Sequence, residues 1–416
     1  MRRLFTKAHV CCALVVLTTF LLCSMVAAVE KRSVATEQEE KQQLQQLEEK
    51  RETEEKHSVE TELEEQEQQP KETAETEDED EETEGTQIFS RLPVEKITLG
   101  GFIDLDYDYY DVSDVSDKDS GSSSDLGFGS VELELRVFFN KWVKSKIVLT
   151  ADDVGKEGGD DNIKLDEAIF TMKGPWVPLY FTGGKTVLPF GVFEDHLIVG
   201  TLMEDLYEVD TVGATLGFTP DFYGLDLSIT VYKGQDIIEN LEDFGTHEFS
   251  PGRQESDDVS SFIANVTLEP VEDMLTFSVF YDSEPGDGRR NQTMGGAFTL
   301  DVWKLSLDAE YITALAREKG DNGEENKDSA WIVGLALQPI ESAPLEFAVR
   351  YEDFDDDQSG DQDEVLDYRC VAGFSYKFLK WATFFFEYDY LKYERESGSD
   401  AADHVNELHF RIGLAF

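Results

Sequence analysis

Apolar and polar residues alternate in short stretches from about residue 92 to the last residue, Phe416. In the final stretch every second residue from Leu408 onward is apolar, and the residues between are polar or small. A period of two is typical of a β-strand with one apolar face. The pattern predicts about sixteen strands. They are 97–110, 126–139, 143–151, 163–172, 179–185, 212–218, 225–233, 259–268, 275–282, 294–300, 305–313, 331–338, 345–351, 367–376, 382–392 and 406–416.

The connections between these strands are alternately long and short. Long polar connections such as 111–125 and 234–258 follow the odd-numbered strands, and short turns such as "KGPWVP" and "TPDFYG" follow the even-numbered ones. A soluble antiparallel sheet also explains alternating faces, but it does not explain alternating connection lengths. An up-and-down barrel of the bacterial outer membrane has short turns at one end and longer loops at the other. We therefore predict an all-β transmembrane protein, an antiparallel up-and-down β-barrel in the outer membrane.

Two further features support a barrel in a membrane. No apolar run after residue 28 is long enough for a spanning helix, so a membrane-embedded body has to be a closed barrel. Aromatic residues near the short turns resemble an interfacial girdle that contacts outer-membrane lipid. These aromatic residues are Trp142, Tyr180, Phe222, Tyr223, Trp303 and Trp381. The alternating last strand that closes on Phe416 resembles the assembly signal of bacterial outer-membrane barrels, which implies the barrel assembly machinery as a partner.

The first 91 residues differ in composition from the barrel. Residues 1–28 have a basic start, an apolar run and the small residues Ala27 and Ala28, as in a secretory signal peptide; a membrane anchor is the alternative. Residues 29–91 are rich in Glu, Gln and Lys and contribute to a net charge of -53. We predict a polar periplasmic helix, with a weak coiled-coil alternative, and a disordered linker. The barrel is assigned to residues 92–416.

A barrel of about sixteen strands is wide enough for an aqueous channel, so the inward-facing residues describe its wall. One interpretation is that their charges select solutes through the field, and the other is that they pair with neighbours. The acidic excess favours cations or solutes that carry them. The predicted pore-lining residues are Asp104, Asp106, Asp108, Glu132, Glu134, Arg136, Lys146, Arg350, Arg369 and Arg411, and the same face carries Lys144, Asp308, Glu310, Glu387 and Asp389.

The connection 186–211 contains many apolar residues, which a free external loop does not favour. We expect it to fold into the barrel and narrow it; the alternatives are a cap on the rim or a further short strand. The candidate constriction residues are Lys185, Pro189, Phe190, Gly191, Asp195, His196, Glu204 and Asp205, with Glu194, Glu208 and Asp210 nearby. A metal site at His196 is conceivable, but the spacing matches no ligand motif, so no metal or cofactor is predicted.

The segment Gly-Lys-x-x-x-Pro-Phe-Gly at 184–191, followed by Phe193, resembles the LbtU family of siderophore porins. That resemblance implies a sixteen-stranded barrel that takes up ferric siderophores passively, without an energy-coupling plug domain. The chain departs from the family in its poor heptad pattern and very acidic loops, and acidic loops would repel an anionic iron chelate. A general diffusion porin that prefers cations is the alternative, and a homo-oligomer stays open.

Other classes of function lack support in the sequence. No nucleophile, base and orienting group stand at a recognisable spacing, and two of the six histidines, His9 and His57, precede the barrel. An enzyme is therefore not predicted. The acidic charge also disfavours nucleic-acid binding, which needs basic residues against phosphate. A siderophore or another small solute remains the expected ligand.

Overall fold

Sixteen strands and two helices lie in the described part of the chain. The computed structural model describes residues 94–114, 121–159, 162–246, 258–320, 323, 325–340, 343–356, 366–393 and 402–416. The strands are β1 (Lys96–Asp114), β2 (Gly121–Asn140), β3 (Val143–Val154), β4 (Lys164–Lys173), β5 (Leu179–Val187), β6 (Asp210–Phe218), β7 (Asp226–Tyr232), β8 (Ser261–Val271), β9 (Leu275–Glu284), β10 (Asn291–Val302), β11 (Leu305–Ala316), β12 (Asp328–Leu337), β13 (Leu345–Asp356), β14 (Leu366–Leu379), β15 (Ala382–Tyr393) and β16 (Ala402–Ala415). The helices are α1 (Leu202–Tyr207) and α2 (Asp236–Asp243).

The strands form one closed antiparallel barrel in which each strand pairs with its neighbours in sequence. β1 pairs with β16 and closes the ring, with Asp106 opposite Arg411 and Asp108 opposite His409. All sixteen predicted strands are present in order, so the predicted fold class is confirmed. The signal peptide and the acidic helix and linker lie outside the described residues, and those domain assignments stay predictions.

The two faces of the strands differ as the alternation predicts. In β7, Ile229 and Val231 are exposed on the outside, whereas Thr230 and Tyr232 are buried inside. Successive strand residues point to opposite faces, so an apolar outer band and a separate inner wall result. No helix in the described ranges has the length and apolarity to cross a membrane.

The predicted aromatic girdle is correct in part. Trp303, Trp381 and Tyr223 are exposed beside short turns. Tyr180, however, faces inward, because its hydroxyl donates a hydrogen bond to Asp226 at 3.1 Å and its ring fills the space above Gly217. The sequence pattern misplaced Tyr180 because position in a strand end does not by itself fix the face.

An apolar core fills part of the ring. The connection 188–209, which contains α1 and which we name the inserted segment, lies inside the barrel together with α2. It packs on inward apolar side chains from β7 to β14, the part of the inner surface that we name the covered wall. The core side chains of this wall are Tyr232, Ile263, Phe280, Ile312, Ala330, Ile332, Phe354 and Leu366. The inner surface of β15, β16 and β1–β4 is named the charged wall, and β5 and β6 lie between the two walls.

Candidate functional site

The inserted segment enters the ring through a tight bend after β5. Gly191 has a φ of +85°, and a Cβ at this position would lie 2.2 Å from the Phe193 ring. Only glycine fits such a left-handed position without strain. Phe190 is fully buried, with its ring centroid 5.0 Å from that of Phe280 in β9. The residues that carry the siderophore-porin resemblance therefore build the bend and its apolar anchor.

Inward carboxylates of the wall hold the backbone of the inserted segment. Each accepts hydrogen bonds from amide groups that a single loop of this length cannot satisfy internally. Because the acceptor is ionised, such bonds are stronger than those between neutral groups. The pairs are Glu310 with the amides of Val192 (2.9 Å) and Phe193 (3.0 Å), Glu387 with Ile198 and Val199 (3.2 Å to the latter), and Glu352 with Leu202 (2.9 Å).

Two arginines complete this attachment. Arg350 donates to the carbonyls of Val199 (2.8 Å) and Gly200 (3.0 Å), and Arg369 donates to the same Gly200 carbonyl at 2.5 Å. Both guanidinium groups also contact Glu352. Their side chains are only 2% and 6% exposed. The prediction that Arg350 and Arg369 line an open pore is therefore wrong in one respect: they face inward but are covered by the inserted segment.

His196 attaches the inserted segment to β11 and β13. Its Nδ1 lies 3.1 Å from Glu346 and its Nε2 lies 3.3 Å from Asp308. Hydrogen bonds with Asp308 and then Glu346 raise the pKa of His196 to about 10, so the ring is a cation at neutral pH. Both nitrogens face carboxylates on opposite sides of the ring. The two ion pairs hold the ring between the strands, and the two carboxylates lie too far apart to bind one metal ion together with the ring.

The two lumenal helices have an apolar face and an acidic face. In α1, Leu202, Met203, Leu206 and Tyr207 are buried in the core, and Thr201 and Glu204 form a capping box at its start. The acidic faces of α1 and α2 line a cavity of about 580 Å³. Its carboxylates are Glu204, Asp205, Glu208, Asp210, Asp236 and Glu239.

The carboxylates of this acidic cavity perturb one another. Burial, followed by the charge of Glu204, raises the pKa of Glu208 to about 7. Burial and then Glu239 raise the pKa of Asp236 to about 6. Lys185 offsets one carboxylate, since its Nζ lies 2.6 Å from Asp210. A cation in the cavity would reduce the remaining repulsion.

The charged wall consists largely of ion pairs. Arg411 makes a two-point contact with Asp106, at 2.8 Å for each hydrogen bond, and lies 3.6 Å from Asp104. Lys146 lies between Glu134 (3.5 Å) and Glu167 (2.5 Å). The other ion pairs of this wall are Arg136 with Glu134 (2.7 Å) and Lys156 with Asp108 (2.9 Å). The structure thus pairs most of the charges predicted to line the pore, and their effect on solutes stays a prediction.

The predicted constriction residues have separate structural roles. Asp195 pairs with Arg350 at 2.5 Å, and the Pro189 carbonyl accepts from Asn265 at 3.1 Å. Phe190 and Gly191 belong to the buried bend, whereas Glu204 and Asp205 face the acidic cavity. The inserted segment lies in the lumen. Of the predicted constriction residues, Glu204 and Asp205 line the cavity that a solute can reach.

Sequence reasoning missed α2 and the apolar inward residues of the covered wall. The helix was assigned to a long loop, although Ile237, Ile238 and Leu241 recur at helical spacing and are buried. Large apolar residues such as Phe280 and Ile312 also stand on the inward parity of their strands. An apolar helical pattern in a long connection, together with large apolar residues at inward strand positions, indicates that a segment of the chain packs inside the barrel.

Comparison with known proteins gives a consistent family and fold. Residues 78–396 match the family model described as Gram-negative porin. None of the curated proteins matches the sequence. An anion-selective porin from Comamonas acidovorans superposes with a TM-score of 0.56 at 12% identity, covering 77% of this chain and 99% of that chain.

Two further solved structures superpose over a similar share of the barrel. For the outer membrane channel DcaP of Acinetobacter baumannii, the TM-score is 0.57 at 15% identity, with 77% and 97% of the two chains covered. For OprB of Pseudomonas putida, it is 0.56 at 11% identity, with 80% and 96% covered. At these identities the similarity shows the fold alone.

Proposed function

The chain belongs to the Gram-negative porin family and forms an outer-membrane diffusion channel, and from this premise we propose that its lumen prefers cations. The observation that carries the proposal is the acidic cavity between α1 and α2. Six carboxylates line it, and no basic side chain is among its described lining residues. A passage lined by one sign of charge raises the local concentration of the opposite ion.

The acidic cavity is suited to conducting cations as well as to selecting them. Four of the carboxylates belong to α1 and α2, which pack on the covered wall, and Glu208 and Asp210 follow α1 directly, so the backbone holds all six in place around the cavity. Several neighbouring sites of moderate strength let an ion enter and leave, which a single tight site would prevent. The cavity therefore supports diffusion with a preference for cations over anions.

Ion selectivity in planar bilayers tests this proposal. Under a KCl gradient the reversal potential of the purified full-length protein is expected to have the sign of cation preference. The double variant Glu208→Gln with Asp236→Asn is expected to lower the permeability ratio roughly four-fold, since each of the two unit charges about 10 Å away in water contributes about 0.4 kcal/mol. Glu272→Gln, which removes an exposed charge in a short turn, is the matched control. Clear anion preference of the unchanged protein contradicts the proposal.

A second candidate is passive uptake of ferric siderophores. It is favoured by the 184–191 segment, because the residues shared with siderophore porins form the bend that positions the inserted segment. Because the cavity is acidic, it favours ferric chelates of net positive charge over anionic ones. In a porin-deficient strain we expect faster uptake of a cationic ferric chelate than of an anionic one or a small sugar. Equal uptake of all three supports general diffusion instead.

We also propose that the barrel assembly machinery recognises Phe416. We further propose that lipid covers the apolar outer band. Phe416 is 67% exposed, while its backbone pairs with Gly101 of β1. Removing Phe416 is expected to reduce the amount of folded barrel in the outer membrane, measured by heat-modifiable migration in gels. Unchanged amounts would exclude this role.

A further inference from the structure

A buried carboxylate without a hydrogen-bond donor lies in the charged wall. Asp389 of β15 is 0% exposed, and among the described residues no donor satisfies either of its carboxylate oxygens. Burying an unpaired carboxylate is costly, so a charge of this kind is either neutralised by a proton or balanced by a cation. Glu387, two residues earlier on the same inward face, is engaged with the backbone of the inserted segment.

Two further metal-binding side chains converge on Asp389. Glu407 stands directly opposite it on β16, and His409 follows two residues later on the same inward face. One ligand atom from each of the three residues lies within 4.8 Å of the others. Small side-chain rotations would bring them to the spacing of about 3.3 Å that ligands have around a tetrahedral ion at about 2.0 Å.

The orientation of His409 is fixed as in metal sites. Its Nδ1 lies 2.8 Å from Asp108 of β1, and Asp108 is in turn held by Lys156 at 2.9 Å. This contact leaves Nε2 directed toward Glu407, at 3.2 Å. A histidine ligand commonly donates its second ring N–H to a carboxylate, which fixes the tautomer and the ring orientation.

From this geometry we propose that Asp389, Glu407 and His409 form a binding site for a divalent transition-metal ion in the lumenal wall. Two carboxylates and one imidazole suit Zn²⁺ or a similar ion better than Ca²⁺ or Mg²⁺, which prefer oxygen ligands alone. On binding, the ion takes the place of a proton on Nε2, and that proton leaves to solvent. Three protein ligands leave a coordination position for water.

The site is partly exposed through Glu407. The Glu407 side chain is 18% exposed, whereas His409 is 5% exposed and Asp389 is fully buried. Tyr110, whose ring centroid lies 6.1 Å from that of His409, lines a cavity of about 470 Å³ together with Lys156. Glu407 is therefore the ligand that water in the lumen contacts, and the cavity beside Tyr110 lies next to His409.

His196 provides a matched comparison within the same lumen. It also lies between two carboxylates, but Asp308 and Glu346 contact different ring nitrogens. No single ion can contact both carboxylates and the ring there. The proposed site differs because one ligand atom from each of its three residues lies within 4.8 Å of the others, and because among the described residues no donor satisfies Asp389.

Calorimetric titration of the purified full-length protein with Zn²⁺ in detergent tests the site. We expect one ion per chain in excess of what the Asp389→Asn variant binds, and the same loss in His409→Gln. His196→Gln is expected to bind as the unchanged protein does. Asp108→Asn is expected to keep the stoichiometry and weaken binding about ten-fold, the lower end of the range for an outer-shell partner. Heat-modifiable migration in gels checks that each variant is folded.

Two results would overturn the proposal. If the folded unchanged protein binds no more Zn²⁺ than Asp389→Asn, a proton shared between Asp389 and Glu387 accounts for the buried carboxylate. If Ca²⁺ binds as tightly as Zn²⁺ and His409→Gln leaves both unchanged, His409 is not a ligand. Neither result depends on the ion preference of the channel, which the reversal potential measures separately.

Discussion

The covered wall and the charged wall are built from strands with the same outer pattern and opposite inner chemistry. On β7–β14 the inner face carries apolar residues such as Phe280 and Ile312, which are fully buried under the inserted segment. On the charged wall the inner face carries ion pairs such as Arg136 with Glu134, whose side chains are 52% and 17% exposed. One barrel thus contains a core resembling that of a soluble protein beside a wetted surface. The covered wall also carries buried charges such as Glu310 and Arg350, and these hold the backbone of the inserted segment.

Charged residues on the two walls accordingly have different roles. Arg350 is nearly inaccessible and joins Asp195, Glu352 and two segment carbonyls. Arg136, in contrast, is 52% exposed and, among the described residues, forms its ion pair with Glu134. A buried charge with several partners fixes structure, whereas an exposed pair adjusts the local field and contributes little stability.

The largest expected effect comes from removing the inserted segment itself. Deleting 193–207 takes away α1 and its acidic face, and should raise single-channel conductance at least two-fold because the lumen widens toward that of an empty sixteen-stranded barrel. Deletion of residues 357–365, in the connection between β13 and β14, is the control. Unchanged conductance after the 193–207 deletion would show that the segment does not limit ion flow.

Breaking the attachment at one residue should destabilise the covered wall strongly. Arg350→Ala leaves Glu352 and Asp195 without their shared partner and should lower the free energy of unfolding by about 3–5 kcal/mol. Arg136→Ala on the charged wall should lower it by about 1 kcal/mol or less. Urea unfolding in lipid vesicles, followed by tryptophan fluorescence, measures both. Equal effects would remove the distinction between the walls.

Two phenylalanines of β9 compare the inside and the outside of one strand. Phe280 is fully buried against Phe190, whereas Phe277 is 43% exposed on the outer face. Phe280→Ala should lower the free energy of unfolding by about 3–5 kcal/mol, because it leaves a cavity in a packed core. Phe277→Ala should have a clearly smaller effect in the same urea assay, since no packed protein core surrounds it. A larger loss of stability in Phe277→Ala than in Phe280→Ala would contradict a packed core on the inner face.

The acidic cavity predicts a modest dependence of selectivity on pH. The pKa of Glu208 is raised to about 7 and that of Asp236 to about 6, so both carboxylates become neutral as the pH falls through this range. Cation preference should therefore decline between pH 8 and pH 5, above the value of about 4 that is usual for exposed carboxylates. Reversal potentials across this range measure it, and Glu208→Gln with Asp236→Asn should abolish the step. A midpoint near pH 4 would argue against these two groups.

The outer pattern was readily predicted because a period of two recurs in every strand and each strand needs only its neighbours. The apolar residues in 186–211 also indicated a packing partner, and the structure places this segment inside the ring. The pairing of Arg350 and Arg369 with the segment could not be read from the sequence, since contacts such as Arg350 with Val199 join residues 151 positions apart. The same holds for His409 with Asp108, which meet only when the barrel closes.

The Phe190 environment shows the limit of motif reasoning. The residues of 184–191 suggested a constriction, whereas Phe190 is buried in the core and Gly191 permits the bend. A motif identifies a shared local geometry, and the surrounding wall decides whether that geometry meets solute or protein.

The central claim is that solutes pass between the charged wall and the acidic faces of α1 and α2, and not through the apolar core of the covered wall. Cysteine accessibility tests it most directly, in a chain whose Cys370 is replaced by alanine. Glu132→Cys lies on the charged wall and is half-buried, and Ile332→Cys lies in the core of the covered wall. A cationic methanethiosulfonate reagent should reduce single-channel current in Glu132→Cys and leave Ile332→Cys unchanged. A block of Ile332→Cys without any effect on Glu132→Cys would contradict the account.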